Sequence, residues 1–189
     1  MHRNDLPARL AGATLAFLAA TAPALAQLRD ENLLTALPQG FKLGYQASQG
    51  NEDMAEYVPA GETVDDWSEM VTVQVFHGLG GVDLDGFAQR LATGWSNACP
   101  GGEGQRVGGA TDNGYRFALW SYTCPLNPET GKPETMRLKI MSGKDALYSV
   151  QFAYRAKPSD DEDTRSGGAL DKVGVCDTRS PDHPCPPRM

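Results

Sequence analysis

Four residues able to do chemistry crowd the stretch VCDTRSPDHPCPPRM: Cys176, Asp177, His183 and Cys185. Such a set fits a metal site, a redox pair or a disulfide. A structural zinc site takes four ligands, usually with close pairs such as Cys-x-x-Cys, and that same spacing is the common redox signature. Here the two cysteines stand nine positions apart, one proline separates His183 from Cys185, and no second ligand pair is visible. A Cys176–Cys185 disulfide closing a short proline-rich loop is therefore expected, and no metal. The chain has 4 cysteines, an even number that reads as two disulfides in an oxidising compartment. With Cys176–Cys185 closed, Cys99–Cys124 follows, although spacing alone leaves all three pairings open. On chain-entropy grounds the short loop contributes about 2.7 kcal/mol and the longer one about 3.5 kcal/mol.

Catalytic candidates are fewer. GWSNA, Gly94 to Ala98, matches a loose nucleophile-elbow pattern around Ser96, and HGLGG resembles the oxyanion loop of esterases. An order of Ser96, an acid and His183 would suit an α/β-hydrolase. An elbow needs a sharp strand-to-helix turn, however, and Ser96 falls late in an amphipathic helix beside Trp95. A small serine hydrolase using Ser96 with His183 or His77 is thus the alternative reading. His77 otherwise reads as a strand-end residue before a glycine-rich turn. The run GGEGQRVGG misses the GxGxxG spacing and is expected to be a mobile loop beside Cys99. The acidic clusters Asp65-Asp66, Asp83/Asp85 and SDDEDT lack the alternating ligands of a calcium loop. No catalytic residue and no cofactor is assigned. Trp67, between acids and just before a strand, is either a core plug or the aromatic of a binding surface.

The opening of the chain bears on the cysteines. MHRNDLPAR is a short basic segment, followed by the apolar run LAGATLAFLAATAPALA ending in Ala24-Leu25-Ala26. Small residues one and three places before a cut are what signal peptidase accepts, so residues 1–26 are expected to be a cleaved signal peptide, with Gln27 the first mature residue. No later apolar run is long enough to span a bilayer. The expected localisation is the periplasm, as a soluble exported protein, with 27–189 a single domain whose C-terminal tail, from about residue 158, is clasped on itself by the Cys176–Cys185 disulfide. The full chain carries a net charge of -7, and losing Arg3, Arg9 and Asp5 makes the remainder more negative still. Such a surface repels phosphate backbones, so nucleic acid is excluded as a partner.

Hydrophobic patterning gives the elements that must position these residues. LRDENLLTALPQG suggests a short helix ended by Pro38 and Gly40. FKLGYQAS and EDMAEYVPAG read as strands. Thr63 and Asp66 have capping-box spacing, predicting one helical turn. EMVTVQVFH is rich in β-branched residues, with Val71, Val73 and Val75 on one face. The clearest helix covers 84–98, with Asp83 as N-cap and Leu84, Phe87, Leu91, Trp95 and Ala98 as the stripe expected to face a sheet. QRVGGAT and YRFALWSYTC flank Asn113-Gly114, a strong hairpin signal, and leave the face of Trp120 open. TMRLKIM alternates Met136, Leu138 and Ile140 inward against Arg137 and Lys139 outward. ALYSVQFAYRA sets Tyr148, Val150, Phe152 and Tyr154 against Ser149 and Gln151. Period-two patterning of this kind predicts antiparallel strands with one wet face. PSDDEDTRSGGALDKVGV reads as a charged spacer with a weak helix starting at Ser159. The sum is an α+β fold: a mainly antiparallel sheet of about six or seven strands packed by the helix 84–98. Truncating Leu91 or Phe152 to alanine is expected to cost about 2–5 kcal/mol each.

The segment EYVPAGETVDDWSEMVTVQVF, residues 56–76, resembles one shared by uncharacterised bacterial exported proteins, in which a Pro-x-Gly-Glu turn leads into Trp-Ser/Thr-Glu-Met and a strand. DALYSVQFAYR and the tail CDTR…HPCP are similar to the same group, which implies export but no activity. More distantly, the strand–helix–meander order resembles the Mog1/PsbP-like α+β sandwich, whose members are mostly accessory and binding proteins. The function expected is a non-catalytic binding or accessory module of the cell envelope, a monomer acting on an envelope protein or small ligand through the wet sheet face or the Trp67 turn.

Overall fold

The computed structural model describes residues 28–187; the expected signal peptide lies outside them. In chain order the elements are β1 (Glu31–Leu34), β2 (Phe41–Gln49), β3 (Glu52–Pro59), β4 (Glu69–His77), α1 (Leu84–Ala98), β5 (Glu103–Asp112), β6 (Tyr115–Cys124), β7 (Glu134–Ser142), β8 (Ala146–Tyr154), α2 (Asp160–Asp171) and β9 (Gly174–Asp177). Seven strands form one antiparallel sheet in the order β2-β3-β4-β8-β7-β6-β5, and β1 pairs with β9 in a separate two-stranded sheet. The fold is α+β.

Local chemistry explains the boundaries. The Asp83 carboxylate accepts from the Gly86 N–H and caps α1, satisfying a backbone donor that has no partner inside the helix. At α2, the Ser159 hydroxyl accepts from the Glu162 N–H while Glu162 accepts from the Ser159 N–H. This capping box, together with four acids in the first turn, makes α2 a defined helix, stronger than its weakly apolar sequence suggests. Asn113 (φ 45°) and Gly114 (φ 79°) turn the β5–β6 hairpin, the left-handed pair a type I′ turn requires.

Both faces of the sheet carry a core. On one, α1 packs Leu84, Ala88 and Ala92 against Ala118, Trp120, Tyr122, Met136, Leu138 and Ile140. On the other, α2 and β9 bring Leu170, Val173 and Val175 onto Val71, Tyr148, Val150, Phe152 and Tyr154. The single wet face expected for β7 and β8 is thus not what forms. Lys139, expected outward, is only 3% exposed. Its ammonium donates to the carbonyls of Leu170 at 3.0 Å and Val173 at 2.7 Å and sits 4.4 Å from the centre of the Phe117 ring. It adds a donor to carbonyls at and just beyond the C-terminal end of α2, where the helix dipole favours a cation. Burial holds its pKa below that of an ordinary lysine, against the pull of Asp112 and Asp171.

Four other expectations need correction. Residues 31–34 form a strand, not a helix, because β9 offers them a ladder from Glu31↔Asp177 to Leu34↔Gly174; tertiary pairing outweighs local propensity. Thr63 and Asp66 make a non-helical turn, in which the Asp66 N–H donates to the Thr63 hydroxyl and the Thr63 N–H to the Asp66 carbonyl. The run expected to be a loop beside Cys99 is largely strand β5, paired from Glu103↔Thr123. Its glycines serve close packing: a Cβ on Gly104 would lie 2.7 Å from the Tyr122 ring and 2.8 Å from the Ala92 Cβ. That close approach also rotates α1. Its sheet-facing centre is the line Leu84, Ala88, Ala92, and Leu91 sits on the flank at 36% exposure.

The sulfurs of Cys99 and Cys124 stand 1.98 Å apart and those of Cys176 and Cys185 1.97 Å, both at disulfide distance. Cys176 is fully buried. The segment after it is docked on the body: the Asp177 N–H donates to the His183 carbonyl at 2.8 Å, and the Asp177 carboxylate accepts from Arg179, which also reaches Asp145. The tail is therefore part of the packed structure, not a loop joined only to itself.

Candidate functional site

Helix α1 lies against β5, β6 and β7, so the same face of β3, β4 and β8 is left without a helix. Register places Thr72, Gln74, Ser149 and Gln151 there, next to Glu52, Met54 and Glu56 of β3 and Tyr45 of β2. These side chains bond to one another across strands. Gln74 donates to Glu52 at 2.8 Å, and Gln151 donates to the Gln74 carbonyl oxygen at 2.6 Å and to the Ser149 hydroxyl at 3.3 Å. On this half of the sheet Glu52, Gln74 and Gln151 are half-buried and reach solvent, while Ser149 is buried beneath them. Its carboxylates are Glu52 and Glu56, and burial raises the Glu56 carboxyl above the usual range.

Two walls border the polar floor. One is the α1 flank, where Phe87 meets Phe76 edge-on at 5.5 Å and Leu91 is exposed. The other is the loop 60–68, which bends over β2 where Gly44 makes room. A Cβ on Gly44 would lie 2.9 Å from Val64 and 3.3 Å from Val58, and the register of β2 on β3 shifts at that point. This shift puts Tyr45, 44% exposed, onto the polar side.

The same loop carries Trp67 and accounts for the Pro-x-Gly-Glu…Trp-Ser-Glu pattern. Gly61 turns the chain at φ 102°. The Glu62 carboxylate accepts from both the N–H and the hydroxyl of Ser68 at 2.7 Å, which is why a hydroxyl residue follows the tryptophan. The Arg155 guanidinium lies 4.3 Å from the centre of the Trp67 ring and donates to the Asp65 carbonyl at 2.9 Å. Trp67 is half-buried, and with Glu62, Asp66, Lys132 and Arg155 it lines a pocket of about 330 Å³. A cation on an aromatic face is worth about 0.5–1 kcal/mol at an exposed site, so the loop is held in one shape.

The residues of the hydrolase reading do not meet. The Ser96 hydroxyl donates to the Gly102 carbonyl at 2.8 Å, just before β5 begins. His183 bonds the Asn113 carbonyl at 2.8 Å and stacks on Tyr115 at 4.5 Å, just after β5 ends. At about 3.3 Å per residue, β5 separates them by roughly 30 Å. His77 ends β4 at the His183 end of the sheet, paired with Asp53 at 2.7 Å. Among the described residues no cluster of three histidine, cysteine or acidic side chains could hold a metal, and no helix is long and apolar enough to cross a membrane.

No family model matches the chain, and no curated protein matches it. Solved structures of similar fold include the Ran-binding protein Mog1p of Saccharomyces cerevisiae, 12% identical, covering 82% of this chain and 98% of that one with a TM-score of 0.45. Cyanobacterial PsbP from Synechocystis sp. PCC 6803 is 10% identical over 84% of this chain and 98% of its own, with a TM-score of 0.47. LpqN of Mycobacterium tuberculosis, described as involved in cell envelope biogenesis, is 12% identical over 79% and 86%, with a TM-score of 0.40.

Proposed function

We propose that the chain is an exported, non-catalytic binding module of the bacterial envelope, whose partner is a protein docking on the uncovered half of the sheet. The observation that carries this reading is the polar floor of Glu52, Gln74 and Gln151, walled by the α1 flank and the Trp67 loop. Its side chains are already ordered by one another, so little rotamer freedom is lost on docking. Exposed Tyr45 and Leu91 supply apolar anchors at the border. The carboxylates of Glu52 and Glu56 favour a partner rich in N–H donors or positive charge. In the same proposal residues 1–26 are removed on export to the periplasm, 27–189 form one domain, and Cys99–Cys124 and Cys176–Cys185 are disulfides.

The test replaces Tyr45 by a photo-cross-linking phenylalanine in the full-length gene, with Val107 on the opposite edge as the control. Protein recovered from the periplasm should begin at Gln27 by mass spectrometry. Irradiation should give a discrete adduct from position 45 and none from 107. Retention of Met1, or equal adducts from both positions, would reject the reading, and labelling of Ser96 by an active-site serine probe would restore the hydrolase alternative.

A further inference from the structure

Each end of the seven-stranded sheet presents a strand paired on one side only, and the two ends differ. At β5 the edge is interrupted: its register on β6 shifts between Arg106 and Gly108, and Arg106 is tied to Asp85 of α1 at 2.9 Å. Bulges and charges of this kind keep an edge from pairing with another chain. At β2 the one register shift falls near the start, between Leu43 and Tyr45. Tyr45–Gln49 then run unbroken, with no proline, glycine or charge, and all of them but Ala47 are exposed. Gly50, at φ 63°, is the first central residue of a two-residue turn, so the flanking pair Gln49↔Glu52 is a hydrogen-bonded one. Alternation along the strand then turns the N–H and C=O of Gln46 and Ser48 away from β3. Among the described residues no backbone group outside β3 bonds to Tyr45–Gln49.

Charge decides what such an edge accepts. The hairpin of β2 and β3 carries Glu52, Asp53 and Glu56 against one lysine, Lys42. Asp53 is matched by His77 at 2.7 Å, whereas Glu52 and Glu56 belong to none of the ion pairs among the described residues. Glu56 lies opposite Tyr45 and Glu52 opposite Gln49. A strand added outside β2 therefore has two positions, four residues apart, in line with these carboxylates. Two strand spacings amount to about 10 Å, a span that a lysine or arginine and a glutamate cover between them. A second copy of the chain has the wrong sign, because the net charge is -7 and the same acids would face each other. We propose that β2 takes up an extended basic segment of the partner as an added antiparallel strand, hydrogen-bonded to Gln46 and Ser48, with two lysines or arginines four residues apart facing Glu56 and Glu52. This rests on the docking reading above and names the form the docked partner takes: backbone bonds give affinity, and the two cations fix register.

The probe is the end-capped peptide Thr-Lys-Thr-Val-Thr-Lys-Thr, titrated into the isotope-labelled protein and followed by amide NMR. Binding should saturate, should slow hydrogen exchange at the Gln46 and Ser48 amides, and should leave Val107 of β5 unmoved. Two altered peptides should each bind at least about tenfold more weakly: one with glutamate for both lysines, and one N-methylated at the two inner threonines, whose N–H groups would bond to β2. In the protein, Gln46→Pro removes an outward donor from an edge strand, where proline is tolerated, and peptide binding should fall by at least about tenfold. Glu56→Gln should weaken it as well. Where Gln46→Pro does not fold, the N-methylated peptide decides. Shifts that never saturate, equal binding of the N-methylated peptide, or self-association of the protein through β2 overturn the proposal. An adduct from position 45 together with no peptide binding would also overturn it, while leaving intact the docking of a protein on the sheet face.

Discussion

Phe152 is 1% exposed between α2 and the sheet, in register with Val71 and Arg137 on the strands either side. Phe152→Ala removes a ring from a packed core and should cost about 3–5 kcal/mol by urea denaturation. Leu91 is expected to behave differently. At 36% exposure on the flank of α1, Leu91→Ala should cost less than about 1 kcal/mol, because little area returns to water. A cost for Leu91 close to that of Phe152 would mean that α1 is turned to the sheet as its heptad-like spacing implies. The sequence shows large apolar residues at helical spacing but not that Ala88 and Ala92 form the contact line. That depends on how closely Gly104 lets the backbone approach. Lys139 was illegible for a similar reason: nothing local says that the end of α2 will arrive above it.

Strand, helix and hairpin assignments for β4, α1, β6, β7 and β8 are legible because each has its own periodicity or cap. β1 and β9, four residues each, are too short to carry a pattern and exist only as a pair. The pair changes what the C-terminal cysteines hold. Cys176 is buried within it, and Asp177 takes the Arg179 contacts that fix the following turn; those bonds hold its carboxyl well down, at about 2. Replacing Cys176 and Cys185 together by alanine should lower Tm by about 5–10 °C, from about 2.7 kcal/mol of lost cross-link, and should raise amide exchange in β1 as well as β9. Non-reducing peptide mapping should first find Cys176 joined to Cys185. A peptide joining Cys176 to Cys99 or Cys124 would exclude this pairing. Exchange confined to residues beyond 177 would show the tail to be peripheral.

Four tyrosines in the two cores set the alkaline behaviour of the whole molecule. Burial pushes Tyr122 and Tyr154 up to about 12, and burial with the nearby Glu31 carboxylate pushes Tyr115 and Tyr148 higher still. An unfolded tyrosine loses its proton near pH 10. Between about pH 10 and 12 the native state therefore binds more protons than the unfolded state, and stability falls as pH rises. Lys139, shifted down, works in the opposite sense but is one group against four. Equilibrium unfolding should show a steep decline across that interval, accompanied by late tyrosinate absorbance. A flat profile from pH 9 to 12 would mean that these hydroxyls are hydrated. At this scale the α+β class was legible from alternation and one strong helix. The two-sided core was not, because alternation shows that two faces differ without saying that both are covered. The candidate docking face was half legible: its polar residues alternate in the sequence, but where α1 ends is a matter of packing.

The ladder between β1 and β9 joins residues 31–34 to residues 174–177, so nearly the whole chain must be made before it can close. The central pairing of β4 with β8 likewise spans from Glu69 to Tyr154. Long-range closures of this kind are slow and come late. While the chain is still emerging from the ribosome it has no strand with which to seal the core that holds Val175 and Cys176. The hairpins β2–β3 and β5–β6 can close early, but the core under α2 is sealed only when β9 meets β1.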